Sequence, residues 1–451
     1  MRQMTLDEVL RSGEGAEGSR DRSSGELPTA AEGNERPGSD DLLARVLERS
    51  NLSIALKRVE ANRGSAGVDG MTTSELRPWL KENWPRIRAA LETETYEPSP
   101  VRWHAIPKDD GGTRELGIPT VLDRLVQQAL LQVLQPLLDP SFSEHSFGFR
   151  PRRNAHDAVK TAQRYIQDGR RIVVDVDLER FFDRVNHDVL MDRMAKRIGD
   201  KRVLRLIRRY LNAGILKHGV VMEREDGTPQ GGPLSPLLAN VLLDDVDREL
   251  ERRGHAFVRY ADDCNVYVRS QRAGERVMEQ LKKLYAKLRL KVNESKSAVG
   301  PATSRKFLGF SFWIGPGGQV KRRVAKKTLD KLKRRVKQKT RRNVSRSMQS
   351  VVEDLSRYLA GWKAYFGLAE TPGIFDDVDK WIRHRLRALQ LKQWRRGRTA
   401  YRELRRLGLS EDLAAVIASG TRRWWWNACK RLHHALPNSH FARLGLPSLR
   451  S

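Results

Sequence analysis

The chain has 451 residues, of which 39% are hydrophobic and 31% charged, enough for two or three domains with apolar cores. No apolar run approaches the ~18 residues that cross a membrane, and the N-terminus lacks an apolar stretch of signal-peptide type, so a cytoplasmic location is expected. The sequence has only two cysteines, Cys264 and Cys429. A disulfide framework and a Cys-rich zinc site are therefore excluded.

The positive charge is concentrated in the last third of the chain. Residues 301–451 hold 35 Lys and Arg against 10 Asp and Glu, a surplus of 25 out of a net charge of +29. A surplus this uneven is typical of a polyanion-binding surface, whereas a merely solvated basic face would be the plainer interpretation. The distribution predicts a nucleic-acid partner.

The part of the chain up to residue 139 is predicted to contain a disordered leader, helices and a β-hairpin. Residues 1–41 are rich in Gly, Ser and Glu and are expected to be disordered. From Leu42, apolar residues recur at helical spacing, with Ser50 or Asn51 as a cap between two helices. The DDGG turn within 101–119 predicts a β-hairpin, and an apolar buried helix is expected to follow it over 123–139.

The second half of the chain is expected to contain alternating strands and helices, followed by helices alone. An amphipathic helix is predicted from Ala155, followed by alternating strands and helices to about residue 315. From Val320 onward the sequence predicts basic helices. In that region Trp362, Tyr365 and Phe366 have helical spacing that favours a packed core over a base-stacking surface.

Two acidic motifs are the strongest chemical signal. The tetrapeptide YADD, residues 260–263, lies between two strand-like runs and predicts a hairpin turn that presents Asp262 and Asp263. Upstream, the strand-like run RIVVDVDLERFFD places Asp175 and Asp177 on one face. Acids from two strands can hold two divalent metals for phosphoryl transfer. Periodicity alone does not choose between Asp175 and Asp177.

The order of the motifs resembles that of the reverse transcriptases encoded by group II introns. The resemblance covers roughly residues 42–451 and is closest to the short bacterial class without an endonuclease domain, since the single Cys429 cannot build that domain's zinc site. Seven blocks occur in the family's order: IPKDDGGTRELGIPTVLDRLVQQ, SFGFRPRRNAHDA, VVDVDLERFFDRVNHDVL, GTPQGGPLSPLLANVLL, RYADDCNVYV, LKVNESKS and FLGFSF.

The resemblance implies a set of catalytic residues. The metal ligands would be Asp177, Asp262 and Asp263, holding two Mg²⁺ ions, with Asp175 as a neighbour. Lys296 would protonate the leaving pyrophosphate.

The resemblance also implies a nucleotide-binding set. Lys108 and Arg114, on either side of the DDGG turn, would grip the triphosphate, and Gln230 in TPQGGPLSP would contact the incoming nucleotide. Phe182 would exclude a 2′-hydroxyl by steric contact, although Phe181 could take this role and either ring could belong to the core.

The expected fold class is α+β, a right-hand polymerase with fingers, palm and thumb followed by a helical basic C-terminal module. The basic segment that contains Arg395, Arg396 and Arg398 is expected to bind nucleic-acid phosphates. The predicted domains are a disordered leader (1–41), an N-terminal extension (42–75), fingers (76–170), palm (171–315), a thumb/maturase domain (316–375) and a DNA- and RNA-binding region (376–451).

The resemblance implies an RNA-directed DNA polymerase that uses deoxynucleoside triphosphates, a structured intron RNA as template and a DNA target or primer. The same chain would assist splicing of the intron, and no membrane partner is expected. Two alternatives stay open: a domesticated relative that serves DNA repair or defence, and an RNA-binding splicing cofactor whose polymerase is vestigial.

Overall fold

The computed structural model describes residues 41–107, 112–217, 219–222, 226–228, 231–341 and 346–450. The expectations for residues 1–40, for Lys108 and for Gln230 lie outside these residues. The described chain divides into two compact units; the first ends at Ala302 and the second begins at Thr303. Both contain helices and sheets, which confirms the α+β prediction. The predicted domain boundaries remain predictions.

The first unit begins with helices that pack into one apolar core. Glu48 precedes the second helix, so the predicted cap at Ser50 or Asn51 is wrong; the Asn51 amide instead donates to the Val46 and Ala129 carbonyls. The helices of this unit are α1 (Leu42–Val46), α2 (Arg49–Ala61), α3 (Thr73–Glu92), α4 (Val121–Leu138), α5 (Ala155–Gln167), α6 (His187–Ala195), α7 (Lys201–Asn212), α8 (Ser235–Arg252) and α9 (Gln271–Lys287).

A four-stranded sheet forms around the predicted hairpin, in the order β2-β1-β4-β5. Its first two strands are antiparallel, with Pro107 opposite Thr113, and this confirms the hairpin across the DDGG turn. The strands are β1 (Val101–Pro107), β2 (Thr113–Ile118), β4 (Ile215–Lys217) and β5 (Val220–Met222).

A second four-stranded sheet, which we call the palm sheet, carries both acidic motifs in the order β6-β7-β3-β8. The central pair is antiparallel, with Val176 opposite Cys264. Its apolar side joins the same core as the helices. The strands are β3 (Ile172–Val176), β6 (Ala256–Tyr260), β7 (Asp263–Val268) and β8 (Ala298–Pro301).

The second unit opens with a small antiparallel sheet in the order β11-β10-β9. It is formed by β9 (Lys306–Phe307), β10 (Phe310–Ile314) and β11 (Val320–Val324). The prediction of helix from Val320 is therefore wrong at its start. In VKRRV the two valines are buried at the ends of a strand, and the basic residues between them pair with β10.

Helices complete the second unit. Trp362, Tyr365 and Phe366 are buried with Phe310 and Phe375, as the core interpretation predicted. The helices are α10 (Lys326–Lys339), α11 (Met348–Phe366), α12 (Pro372–Gln393), α13 (Gly397–Arg406), α14 (Glu411–Ser419), α15 (Trp424–Lys430), α16 (Leu432–Ala435) and α17 (Asn438–Arg443). Within the described part of the chain, no helix is both long and apolar enough to cross a bilayer.

Candidate polymerase active site

The YADD motif forms a two-residue hairpin between β6 and β7. Tyr260 pairs with Asp263, so Ala261 and Asp262 make the turn. Ala261 has φ of +58°, a conformation that side chains other than glycine adopt at a cost. The surrounding structure must therefore stabilise this turn.

Strand register brings the two acidic motifs together. Val176 of β3 is opposite Cys264 of β7 in an antiparallel pair. Asp177 follows Val176 and Asp263 precedes Cys264, so both acids lie at the same end of the palm sheet. The backbone of Asp177 is fixed on both sides: its N–H donates to the Ser297 hydroxyl, and its carbonyl accepts from the N–H of Asn293.

The Asp177 carboxylate acts electrostatically on the Asp262 carboxyl. Burial raises the pKa of the Asp262 carboxyl; its own backbone N–H opposes this, and the Asp177 carboxylate raises the pKa further. The Arg114 and Arg259 guanidinium groups act in the opposite direction. Two carboxylates that repel each other at a half-buried site are a suitable environment for cations.

Lys296 also reaches this end of the palm sheet. Its ammonium nitrogen is 3.9 Å from Asp177 Oδ1, and about half of its side chain is exposed. Asp175 lies one register step from the sheet end, opposite Asn265. With the Asn265 amide oriented so that its nitrogen faces Asp175, it donates to the Asp175 carboxylate at 3.0 Å. The structure thus gives Asp175 a cross-strand amide partner and leaves Asp177 at the sheet end.

Phe181 and Phe182 form a 3-10 turn after the strand and are both buried, with ring centroids 5.0 Å apart. Phe182 is 6% exposed and belongs to the main apolar core. Its carbonyl accepts from the N–H of Thr228 at 2.7 Å. Gly227 has φ of +94°, a conformation that other residues adopt only with strain, and it lies close to the Phe182 and Asp183 carbonyls. The loop that leads to Gln230 is thereby anchored to Phe182.

Sequence reasoning missed the buried network beneath the YADD turn. Arg259 and Asp247 are both fully buried and form an ion pair at 2.6 Å. The Arg259 guanidinium also donates to the Ala261 carbonyl and to Asn240 Oδ1, each at 2.9 Å. Arg259 therefore holds the strained turn residue directly.

The same network extends to the SFGF block. The Asn240 amide donates to the Gly148 carbonyl at 3.0 Å. Gly148 lies against the backbone of Ala261 so closely that a Cβ would collide with it. The available sequence signal was Arg259 itself, a lone cation inside the apolar run AFVRY, because a buried charge requires a partner.

The predicted phosphate-binding arginines lie in the second unit, at the junction of α12 and α13. Arg395, Arg396 and Arg398 are all exposed. Arg395 has φ of +53° and Arg396 immediately precedes α13. The junction presents three cations to solvent within four residues.

Comparison with known proteins matches two parts of this chain. The family "Reverse transcriptase (RNA-dependent DNA polymerase)" matches residues 106–312, and "Group II intron, maturase-specific domain" matches residues 329–408. The first includes both acidic motifs, and the second includes the exposed arginines. Together they assign the segment with both acidic motifs and the basic segment to known domains.

Two curated relatives are similar to part of this chain. "Protein YkfC" of Escherichia coli (strain K12) is 35% identical over 47% of this chain and 57% of its own length. "Group II intron-encoded protein LtrA" of Lactococcus lactis subsp. cremoris is 28% identical over 61% of this chain and 57% of its own length. The matched stretches thus span little more than half of each relative.

Solved structures give a more distant likeness. The "Partial Cas6-RT-Cas1--Cas2 complex" matches with a TM-score of 0.37 and 26% identity, over 55% of this chain and 43% of that one. The two domain matches carry the comparison. The chain contains a reverse transcriptase domain followed by a group II intron maturase-specific domain, and over 61% of its length it is similar to a group II intron-encoded protein.

Proposed function

We propose that this chain is an RNA-directed DNA polymerase that extends a DNA primer on an RNA template and also binds intron RNA. One observation carries the polymerase proposal. Register brings Asp177 to the same end of the palm sheet as the YADD turn, and Lys296 lies 3.9 Å from Asp177 within the matched reverse transcriptase domain. The Arg114 guanidinium lowers the pKa of the Asp262 carboxyl. Carboxylates beside cations suit a site that binds metal–triphosphate.

Asp177, Asp262 and Asp263 would hold the divalent ions, with Mg²⁺ as the proposed metal. Among the described residues, no cluster of three or more His, Cys, Asp or Glu side chains forms a ready metal cage. Mg²⁺ sites of this type take only one or two carboxylates and complete the shell with waters and substrate phosphates. When bound, two such ions would stabilise the attacking and leaving oxygens of an in-line displacement.

The other residues would handle the triphosphate and the proton. Arg114, together with the predicted Lys108, would neutralise phosphate charge, and Gln230 would contact the nucleotide. Lys296 is exposed next to Asp177, so its ammonium could move to donate a proton to the leaving pyrophosphate. Phe182 would lie beneath the sugar as the wall that selects deoxynucleotides.

The decisive experiment is primer extension on an RNA template with deoxynucleotides and Mg²⁺. We expect full-length products from the natural chain and none from Asp262→Asn, with RNA binding equal in both proteins. No extension by the natural chain, despite tight RNA binding, would instead favour the splicing cofactor with a vestigial polymerase.

A maturase role is the second proposed function, and the domain match over 329–408 favours it. We expect the chain to accelerate splicing of a bound group II intron RNA, and Asp262→Asn to accelerate it equally. A splicing rate that fell together with polymerase activity would contradict two separable functions. A cytoplasmic location remains a prediction.

A further inference from the structure

An aromatic and basic face lies on α15, beyond the matched maturase domain. Its sequence is TRRWWWNACKR, residues 421–431, and no Asp or Glu occurs between Leu413 and Arg450. Trp425 is 41% exposed and Trp426 is 47% exposed. Two adjacent exposed indoles form a contiguous apolar patch, which marks an interaction site more strongly than a single exposed side chain does.

The tryptophans face outward because α15 packs through its opposite side. Asn427 and Ala428 are buried, and the Asn427 amide donates to the Gly420 carbonyl at 2.9 Å. Turning the helix to bury the indoles would break this hydrogen bond and expose Ala428. The outward position of Trp425 and Trp426 is thus fixed by the packing of α15.

Each exposed ring is held by a neighbour. His384 of α12 stacks on Trp425 with centroids 3.9 Å apart and planes 25° apart, and its Nε2 lies 3.0 Å from the Trp425 carbonyl oxygen. The Arg431 guanidinium lies 4.5 Å from the Trp426 ring centroid. Rings held in this way lose little conformational freedom when a flat ligand stacks on them.

The basic residues around the two rings favour a ligand that carries negative charge. Arg422, Arg423 and Lys430 are exposed beside the two tryptophans. Bases stacked on aromatic rings, with a cationic path for the phosphates, are the means by which proteins bind single strands without reading sequence. A second copy of this chain would bring an equally basic surface and be repelled.

We propose that Trp425 and Trp426 form a stacking platform for unpaired nucleotides, with Arg422, Arg423 and Lys430 binding the adjacent phosphates. This deepens the proposed function by giving the C-terminal unit a preference for single strands over duplex. The unpaired nucleotides could belong to RNA or DNA, since both present the same base faces and phosphates.

The test measures binding of the full chain to labelled oligo(rU) and oligo(dT) strands of about 20 nucleotides and to a duplex of the same length. Trp425→Leu with Trp426→Leu keeps apolar bulk but removes stacking. We expect both single strands to bind about tenfold more weakly or worse, and the duplex to change by less than about twofold, because phosphate contacts alone hold a duplex.

Two controls separate stacking from folding. Trp425→Phe with Trp426→Phe should bind single strands within about threefold of the natural chain, since phenyl rings still stack. Trp313→Leu removes another exposed indole of the same unit, 39% exposed on β10, and should leave binding unchanged. A loss confined to oligo(rU) or to oligo(dT) assigns the platform to RNA or to DNA.

Three results would overturn the proposal. They are unchanged single-strand affinity in the leucine pair, equal losses for single strand and duplex, and a dimer that becomes monomeric in the leucine pair while single-strand affinity persists. Primer extension on a pre-annealed hybrid, measured in parallel, tests the polymerase separately. If extension is absent while the binding differences appear, the polymerase proposal fails and the platform stands.

Discussion

The palm sheet and the C-terminal unit use charge in opposite ways. In the palm, strand register places Asp177 beside Asp263, and a fully buried Arg259–Asp247 pair holds the turn. In the C-terminal unit, exposed arginines cluster in an acid-poor sequence. Activity in the palm therefore depends on the exact positions of individual side chains, whereas binding by the C-terminal unit depends on its total positive charge. Single substitutions should act nearly all-or-none in the palm and in graded steps in the C-terminal unit.

The largest effect should come from the acids themselves. Asp177→Ala or Asp262→Ala should lower primer extension by at least ~10³-fold, because metal stabilisation of the transition state contributes several kcal/mol. Binding of structured RNA should stay within about twofold. Asp175→Asn is the matched control and should retain activity, since Asp175 lies opposite Asn265. Loss in Asp175→Asn with activity kept in Asp177→Ala would reverse our assignment.

The next effect should come from the buried pair. Arg259→Met leaves Asp247 charged and unpaired, so the free energy of unfolding should fall by ~3–5 kcal/mol. Arg253→Met removes one of the two arginines that pair with Glu249 at the surface and should lower the free energy of unfolding far less. Denaturant titration of both variants measures the difference.

A double variant separates stability from positioning. Arg259→Met with Asp247→Leu should recover most of the stability, because no buried charge is left without a partner. Primer extension should remain low, since the Ala261 carbonyl still lacks its donor. Recovery of both properties together would show that Arg259 serves stability alone.

A graded effect should follow from the exposed arginines. Replacing Arg395, Arg396 and Arg398 together by Gln should reduce the slope of log affinity against log salt by about 2–3, since each phosphate contact contributes ~0.7–0.9. Intron and unrelated RNA should be affected alike, because phosphate contacts carry no sequence information. Replacing Lys57, Lys81 and Arg86, exposed cations of the first unit, is the control of equal charge. Equal slopes for both triple variants would contradict a localised binding surface.

Short-range sequence patterns correctly predicted the two hairpins and the buried helix of the first unit. The YADD hairpin, the β1–β2 hairpin and the buried helix α4 all have short-range signals, namely turn residues and apolar periodicity. The start of the C-terminal helices was wrong at Val320, because charged residues between two valines suit an edge strand as well as a helix.

The network beneath the turn could not be predicted, since it depends on long-range contacts. Arg259, Asp247 and Asn240 come from a strand and a helix whose packing no periodicity reveals, and Gly148 reaches the turn from a distant loop. The choice of Asp177 over Asp175 came from the family resemblance. The strand register supports this choice, because Asp177 follows Val176, the last residue of β3 that pairs with β7, whereas Asp175 lies within the paired strand.

The smallest effect should be on the selection of deoxynucleotides over ribonucleotides. The burial of Phe182 determines which substitution is suitable for measuring it. Phe182 is packed in the core, so Phe182→Ala should cost ~3–5 kcal/mol of stability and obscure any effect on selectivity. Phe182→Val removes less volume and should lower discrimination against ribonucleotides by about tenfold while deoxynucleotide use is partly kept.

Phe181→Val is the matched control for this sugar-selection test, because the two rings are neighbours with similar burial. It should destabilise the protein comparably and leave discrimination intact. Competition between ribo- and deoxynucleotides in single-nucleotide extension measures the ratio directly. If Phe181→Val relaxes selection and Phe182→Val does not, the wall is Phe181. If neither does, both rings are core residues, and sugar selection in this palm comes from a residue outside the turn.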